Sequence, residues 1–490
     1  MAFSVDIFGE RGMNTAEMVN HTPKSLEGFI VKHVHFIGIG GYSMSGLALL
    51  LHQQGYQVTG SDVNPSSRTE RLQKHGIPIE FTHKPENVRG ADWVVYNTDV
   101  QEDNPERQAA VAQGILLLHR SEILAQALAG HKAITISGTH GKTTTTTMIG
   151  TILQDAGLDP TVLVGGEVPQ FEGNVRMGQG IYAVAEADES DGTFLRYHPF
   201  IAVATNVEPE HLDHYHGQFS SLIAAFQEYL AKVPEKGLAV IGVDNPHLLT
   251  LSRTLAVPMM SYGLSSEARV RARNIVLGDH QTRFDVVVDG QFVTPVILSV
   301  PGLHNVVNSL GAMAAAYHIG VPWDVSAKSL ERFVNANRRF QVLLEHPVMV
   351  VDDYAHHPTE IQSTLKACRQ RAKGRVIALF QPQRYVRTQN LWNEFVTALQ
   401  DADILYLTDI YAPAGEMPIQ GISGERLAED IARHGKAVHF RKDMFAVVDE
   451  LAESLQEGDL FITMGAGNVY LVARDMAKKL NTRGVSGAGL

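Results

Sequence analysis

Between Ala133 and Met148 the chain reads Ala-Ile-Thr-Ile-Ser-Gly-Thr-His-Gly-Lys-Thr-Thr-Thr-Thr-Thr-Met. A short apolar run rich in β-branched residues is a buried strand, and the turn Gly138, Thr139, His140, Gly141 then delivers backbone N–H groups to the start of the next helix, where anions bind. Lys142 can reach the terminal phosphates of a nucleotide as a point charge. The Thr143 hydroxyl, with Thr144 beside it, is placed as a ligand for Mg2+, as in a phosphate-binding loop. The common loop has four residues between its first glycine and the Gly-Lys pair; here that first position is Ile136 and the glycine falls at Gly138. A bare strand-turn-helix junction does not need Gly-Lys-Thr in register with the strand, so nucleotide binding is the reading adopted. On an exposed loop Lys142 is expected to neutralise phosphate and to contribute little packing.

Carboxylates gather after the next strands. Ile181 to Ala185 reads as a strand running into Glu186, Asp188, Glu189 and Asp191, and Phe200 to Thr205 as another ending in Asn206, Glu208, Glu210, His211 and Asp213. In a parallel sheet the strand C-termini share one edge with the phosphate loop, which places Glu186 to hold Mg2+ directly or through water. Either cluster alone reads as a solvated acidic loop; two after consecutive strands favour a metal site. Near the N-terminus the strand Val34 to Ile37 leads into Gly38, Gly40, Gly41 and Ser43, a helix from Met44 to Gln54, and a strand from Tyr56 to Asp62. That is nearly a dinucleotide fingerprint with its acid at Asp62, but Ser43 stands at the third glycine position. Gly302 to Ser309 opens an Ala-rich helix, where Asn305 and Asn308 serve either a helical N-terminal turn or the edge of an adenine.

These groups need rigid edges to project from, and the pattern of short apolar strands alternating with amphipathic helices supplies them. The fold class is α/β: three domains, each a mostly parallel sheet with flanking helices, Rossmann-like at the N-terminus, P-loop ATPase-like in the centre and Rossmann-like at the C-terminus. The boundaries fall at residues 1–30 for an N-terminal extension, 31–129, 130–336 and 337–478 for the domains, and 479–490 for a glycine- and serine-containing tail expected to be disordered. A length of 490 residues is too great for one core. A net charge of −12 argues against nucleic acid as the main partner, because backbone binding needs a basic face. Small anionic molecules need only local cations. No apolar stretch approaches the ~20 residues of a membrane helix, and residues 1–30 lack the basic start and continuous apolar centre of a signal peptide, so a cytoplasmic protein is expected. The single cysteine, Cys368, reads as a buried small hydrophobe.

Gly38-Ile-Gly-Gly41, Gly138 to Thr144, Glu186-Ala-Asp188, Asn206 to Asp213, His304-Asn305, Arg338-Arg339-Phe340 and the run Asp352-Asp-Tyr-Ala-His-His-Pro-Thr-Glu360, in this order, resemble the Mur ligases of peptidoglycan synthesis. The likeness extends from about Val34 to Met476. It implies ATP-dependent amide formation, L-alanine being joined to UDP-N-acetylmuramate through an acyl phosphate with release of ADP and phosphate. The alternative within the family is a recycling ligase that adds a preformed murein tripeptide to the same acceptor. By the same resemblance Lys142 clamps the phosphates, Thr143 and Glu186 hold Mg2+, His211 stands at a second metal position, Arg339 contacts the γ-phosphate, Asp353 the ATP ribose and Asn305 the adenine. Gly38, Gly40, Gly41, Ser43 and Asp62 would hold the uridine diphosphate, and Tyr354, His356, Arg384 and Arg387 the incoming amino acid, whose carboxylate needs a cation. ATP and Mg2+ are the implied cofactors and small molecules the implied partners; the oligomeric state is left open. Ser43, the turn Tyr96-Asn-Thr-Asp99, and Gln383, where a histidine is common, depart from the family pattern.

Overall fold

A computed structural model describes residues 32–412 and 416–487, with side chains to Thr482; the expected extension over residues 1–30 lies outside the described residues. The fold is α/β, and the backbone separates into two compact units. One runs to Arg271 and takes in Val287–Gln291 and Ser309–Ser329. The other comprises Ala272–Val286, Phe292–Asn308 and the chain from Leu330 onward.

The first unit begins with a five-stranded, wholly parallel sheet in the order β3-β2-β1-β4-β5. Its strands are β1 (His33–Ile37), β2 (Gln57–Ser61), β3 (Ile79–Glu80), β4 (Trp93–Tyr96) and β5 (Leu116–His119), and its main helices are α1 (Tyr42–Gln53), α2 (Ser67–Lys74), α3 (Pro105–Gln113) and α4 (Arg120–Ala129). Alternation along β1 sends Val34 and Phe36 into one core with Leu47, Leu50 and Leu51 of α1, while Ile37 packs with Val88 and Val94 in another. Covering both faces is what lets parallel strands read as near-continuous apolar runs.

A second sheet of this unit holds β6 (Lys132–Ser137), β7 (Thr161–Val168), β8 (Gly173–Arg176), β9 (Tyr182–Glu186), β10 (Ile201–Ala204), β11 (Leu238–Gly242) and β12 (Met259–Gly263), in the order β12-β11-β10-β6-β9-β7-β8. The phosphate-loop strand β6 lies between β10 and β9, parallel to both, so the loops that leave all three emerge on one edge. Helix α5 (Lys142–Asp155) follows the loop, with α6 (Phe219–Ala231) and α7 (Pro246–Ser252) further on. Strand β7 runs through Gly165 and Gly166 to Val168. Gly165 marks a close approach rather than a turn, since a Cβ there would sit 2.7 Å from a Glu186 carboxylate oxygen.

Strands β13 (Val270–Leu277), β14 (Thr282–Val288) and β15 (Gln291–Leu298) and helices α8 (Leu303–His318) and α9 (Trp323–Leu330) come next. The second unit carries a six-stranded sheet, β16-β17-β21-β18-β19-β20, antiparallel only at β16 (Gln341–Leu344) with β17 (Met349–Asp353). Its other strands are β18 (Val376–Phe380), β19 (Ile404–Leu407), β20 (Val438–Phe440) and β21 (Leu460–Met464), and its helices include α10 (Pro358–Arg371), α11 (Tyr385–Asn390), α12 (Trp392–Ala398), α13 (Gly424–Arg433), α14 (Ala446–Leu451) and α15 (Tyr470–Gly487). Val351, Ala378, Leu405 and Ile462 enter the core on one face, and Val350, Ile377, Tyr406 and Phe461 the core on the other. Helix α15 continues through much of the segment 479–490 that composition marked as disordered. The reason is that Leu480 extends the apolar stripe into the core and Lys479 pairs with Asp449 at 2.5 Å.

Gly138 fixes where the phosphate loop leaves β6. Its φ is +140°, and a Cβ there would lie 2.0 Å from Thr205 Oγ1 and 2.8 Å from the Asn206 carbonyl oxygen at the end of β10. Gly138→Ala is therefore expected to lose at least about 2 kcal/mol of stability in denaturant unfolding, from backbone strain and overlap together. Wild-type stability in that variant would show that the loop is not seated against β10.

Candidate active site

The phosphate loop is stitched to the end of β10 by hydrogen bonds on both sides. The His140 N–H donates to Asn206 Oδ1 at 2.8 Å, the Thr205 hydroxyl to the His140 carbonyl at 2.6 Å, and the Glu208 N–H to Thr139 Oγ1 at 2.9 Å. Gly141, in the left-handed region at φ +84°, then opens α5. Lys142 is not an open-loop lysine. Its Nζ donates to the Gly138 carbonyl at 2.6 Å and to both Glu189 oxygens at 2.9 and 3.1 Å. Its side chain is 18% exposed and that of Glu189 only 5%. Burial alone would lower the lysine pKa, but Glu189, Asp188 and Glu186 hold it well above the usual value, so the cation is permanent. The expectation that Lys142 contributes little to packing is thus corrected: it neutralises a buried carboxylate.

Glu186, the last residue of β9, accepts the Gly165 N–H at 2.6 Å. Two residues on, Asp188 accepts Arg120 Nη2 at 3.0 Å. Burial opposes its ionisation, yet Lys142 and Arg120 bring the carboxyl down to about 2. His119, just before Arg120, is held neutral at about 4, by burial first and then by the Arg120 charge. A cavity of about 80 Å3 opens among these groups, lined by Ser43 and Leu47 of α1, Arg120, Lys142, Gly165, Glu186 and Asp188. The helix that follows the first sheet's glycine loop and the lysine of the second sheet's phosphate loop therefore border one space. Around it Glu186, Asp188, Glu189 and Asp191 outnumber Lys142 and Arg120, and an excess of carboxylate oxygens suits a hard divalent cation. Thr143 and Glu186 supply oxygen donors of that kind. The His211 imidazole, at φ +55° with Nε2 3.8 Å from Glu210, is a softer donor, better matched to zinc-like ions.

In the glycine loop, the Gly38 and Ile39 N–H groups donate to the Ser61 carbonyl at 2.8 and 2.9 Å. Asp62 Oδ2 accepts the Gly40 N–H at 2.8 Å, and Oδ1 accepts the Val63 N–H at 2.8 Å. Asp62 thereby shapes the loop from within. Arg68 Nε donates to the Gly40 carbonyl at 2.5 Å, and its guanidinium lies 4.0 Å over the Tyr42 ring, bringing a cation to the loop. Beneath it, buried Glu106 accepts Ser61 Oγ and Asn87 Nδ2, each at 2.5 Å.

The second unit assembles the remaining candidates around the segment 338–360. Arg338 Nε donates to Asp352 at 3.0 Å, and its other nitrogens to the Gly467 and Gly465 carbonyls at 3.0 and 2.5 Å, so this arginine is a clamp. Asp353 accepts the Phe340 N–H at 2.6 Å and the Ala355 N–H at 2.7 Å, and burial pushes its carboxyl up to about 6. Arg339 lies 5.3 Å from the Tyr354 ring centroid and 3.8 Å from Glu360. His356 Nδ1 is 3.0 Å from the Tyr354 carbonyl and 3.3 Å from Glu360. Asn305 is buried, its amide donating to the Pro301 carbonyl at 2.6 Å. Arg384 precedes α11 at φ +68°, and Arg387 Nη1 donates to Gln383 Oε1 at 2.5 Å. Residues absent from the sequence reading of the site are Arg120 and Arg68, and Glu189 was read only as one of the carboxylate cluster, not as the partner of Lys142. Their only sequence signal was charge at a strand or helix end.

Three sequence families match the chain in succession: "Mur ligase family, catalytic domain" over residues 33–132, "Mur ligase middle domain" over 136–316, and "Mur ligase, glutamate ligase domain" over 338–467. The UDP-N-acetylmuramate–L-alanine ligase of Symbiobacterium thermophilum is 47% identical over 463 residues, covering 93% of this chain and 96% of that protein. Among solved structures, UDP-N-acetylmuramate-alanine ligase from Thermotoga maritima superposes with a TM-score of 0.81 at 27% identity, over 92% of this chain and 99% of the other. A murein peptide ligase from Psychrobacter arcticus gives 0.69 at 24% identity, over 92% and 98% of the two chains, a likeness of fold.

The ion pair makes a two-part prediction for Lys142. Lys142→Ala is expected to lower turnover more than tenfold, a loss above about 1.4 kcal/mol. It should also destabilise the fold by about 3 kcal/mol, because Glu189 is left buried without its cation. A Lys142→Met/Glu189→Gln double variant should regain most of the stability and none of the turnover. Steady-state rates and thermal unfolding measured together decide it: turnover above a tenth of wild type rules out the phosphate clamp, and an unchanged melting temperature in Lys142→Ala rules out the buried pair.

Proposed function

The chain belongs to the Mur ligase family, and from that premise we propose that it joins L-alanine to UDP-N-acetylmuramate at the expense of ATP, in the cytoplasm. The observation that carries this reading is a cavity bordered by Ser43 and Leu47, on the helix that leaves the glycine loop, and by Lys142 of the phosphate loop. A carboxylate resists an amine until one oxygen becomes a leaving group; accepting the γ-phosphoryl group of ATP makes it an acyl phosphate. Catalysis is then positioning and charge neutralisation. In this reading residues 31–129 hold the uridine diphosphate through Gly38, Gly40, Gly41 and Ser43 on a loop shaped by Asp62, and residues 130–336 hold the phosphates through Gly138 to Thr144. Thr143 and Glu186 would hold Mg2+, with His211 as the softer donor at a second position, and the metal would supply further neutralisation of phosphoryl oxygens. Residues 337–478 receive the amino acid, and Asn305, Arg339 and Asp353 serve ATP. No described helix is long and apolar enough to cross a membrane.

The curated relatives favour L-alanine over a preformed tripeptide, since the relatives at 43 to 47% identity carry the L-alanine name. The residue Gln383, unusual for the family, is compatible with that choice. A histidine at this position could steady Arg387 through one ring nitrogen, and the Gln383 amide oxygen makes the equivalent contact at 2.5 Å. Arg387, with Arg384 nearby in sequence, would meet the amino-acid carboxylate, and Tyr354 and His356 would border a small side chain.

Release of ADP and phosphate is expected only when UDP-N-acetylmuramate and an amino acid are both present, with L-alanine outcompeting glycine, L-serine and murein tripeptide at equal concentration. Gln383→His should keep that preference, whereas Gln383→Leu should raise the KM for L-alanine about tenfold or more and leave that for ATP nearly unchanged. Preferential use of the tripeptide, serine or glycine would overturn the amino-acid assignment.

A further inference from the structure

Of the two cations lining the cavity, only Lys142 has a role so far, and it belongs to the phosphate loop. The other is Arg120, the first residue of α4, projecting from the first sheet. Its side chain is 14% exposed and reaches the acidic edge of the second sheet, with Nη2 3.0 Å from Asp188 Oδ2 and 3.9 Å from Asp191 Oδ2. Both carboxylates are themselves fixed. Asp188 Oδ1 accepts the Ser190 N–H at 3.2 Å, while Asp191 accepts the Thr193 N–H at 3.0 Å and the Thr98 hydroxyl at 3.0 Å. The guanidinium is thus held by one corner. Among the described contacts none engages its Nε or Nη1, and an arginine fork presents five donors in a rigid plane.

We propose that the unengaged edge of Arg120 binds the reacting carboxylate of the sugar-nucleotide substrate, orienting it toward the γ-phosphoryl group. This rests on the ligase reading above. In that reading the substrate's diphosphate belongs to the glycine loop at the start of α1 and the γ-phosphate to Lys142, so its carboxylate falls in the cavity between α1 and Lys142, where Arg120 is the cation not already committed to the phosphate loop. Arginine suits the task because its planar fork matches a carboxylate through two parallel hydrogen bonds. The same edge serves the later step. A carboxylate oxygen attacks the γ-phosphorus as the bond to ADP breaks. The amine nitrogen then attacks the acyl carbon, the carbonyl oxygen takes up negative charge facing the guanidinium, and the C–O bond to phosphate breaks as the nitrogen loses a proton. Asp188 and Asp191 are positioning residues for Arg120.

A strut between the two sheets would also explain the Asp188 contact, so the test must read the carboxylate itself. Calorimetric binding of UDP-N-acetylmuramate is compared with that of UDP-N-acetylglucosamine, the same sugar nucleotide with a hydroxyl in place of the lactyl ether that carries the carboxylate. Wild type should prefer the acid, and Arg120→Ala should reduce that preference about tenfold or more while binding UDP-N-acetylglucosamine as wild type does. Arg120→Lys, which keeps the charge but not the fork, should fall between, and serves as the assay variant if the alanine protein does not fold. Equal weakening of both ligands, or an unchanged preference, overturns the assignment to Arg120 and leaves the ligase reading standing. A wild-type protein with no preference for the acid sinks the substrate reading and this inference with it.

Discussion

The ion pair between Lys142 and Glu189 sets the terms for the first unit's site. A lysine fixed at 2.9 Å from a nearly buried carboxylate is always charged and always in place, and its second bond, to the Gly138 carbonyl, ties that charge to the loop ahead of α5. The pair is strong because water is scarce around it, and for the same reason neither partner can be removed alone without exposing the other to a low-dielectric surrounding. From this follow the glycine at 138, which lets the loop lie against β10, and the crowding of Glu186, Asp188 and Asp191 near a compensating Arg120. Glu186, Asp188, Glu189 and Asp191 thus outnumber Lys142 and Arg120 at this edge, and such an excess of carboxylate oxygens suits a hard divalent cation.

Much of that edge was legible in the residues. A β-branched run followed by Gly-Thr-His-Gly-Lys-Thr announces strand, anion-binding turn and helix because each piece has its own local cause. Glu186 was placed at a strand end because apolar periodicity stops there. What local rules did not convey was which of several nearby carboxylates takes the lysine. Glu189 lies three residues past the strand, in a segment with no regular period, and its pairing depends on how that loop folds back under β6. Arg120 and Asp188 are 68 residues apart and meet only because α4 ends a sheet that packs beside another. Neither has a signature beyond its charge.

Gly165 and Gly166 are strand residues, and the missing side chain of Gly165 makes room for the Glu186 carboxylate. The glycines and serine of the tail suggested disorder, whereas α15 runs on to Gly487 with Leu480 packed on the core. Composition reports propensity, and burial of a single apolar residue one turn further is enough to extend a helix past it. The second unit shows the same limit. Asp353 was read as a ligand contact and Arg338 is the neighbour of one, and the structure shows both committed to holding the strand end and linker in shape.

Ser43 carries the argument one step further. A dinucleotide fingerprint uses its third glycine to let helix and strand pack closely, and a serine there would normally weaken the match. Close approach has moved along the helix to Gly46, where a Cβ would come within 2.9 Å of Asn174 Nδ2 in β8. Asn174 in turn donates to the Tyr42 carbonyl and, at 3.3 Å, to Ser45 Oγ. So α1 is pressed against the second sheet rather than only against its own strand, and Ser43, one turn earlier, faces the cavity instead of a backbone. Gly46 lets the helix approach the second sheet, and Ser43, the residue that makes the fingerprint imperfect as a dinucleotide site, lines the same cavity as Lys142.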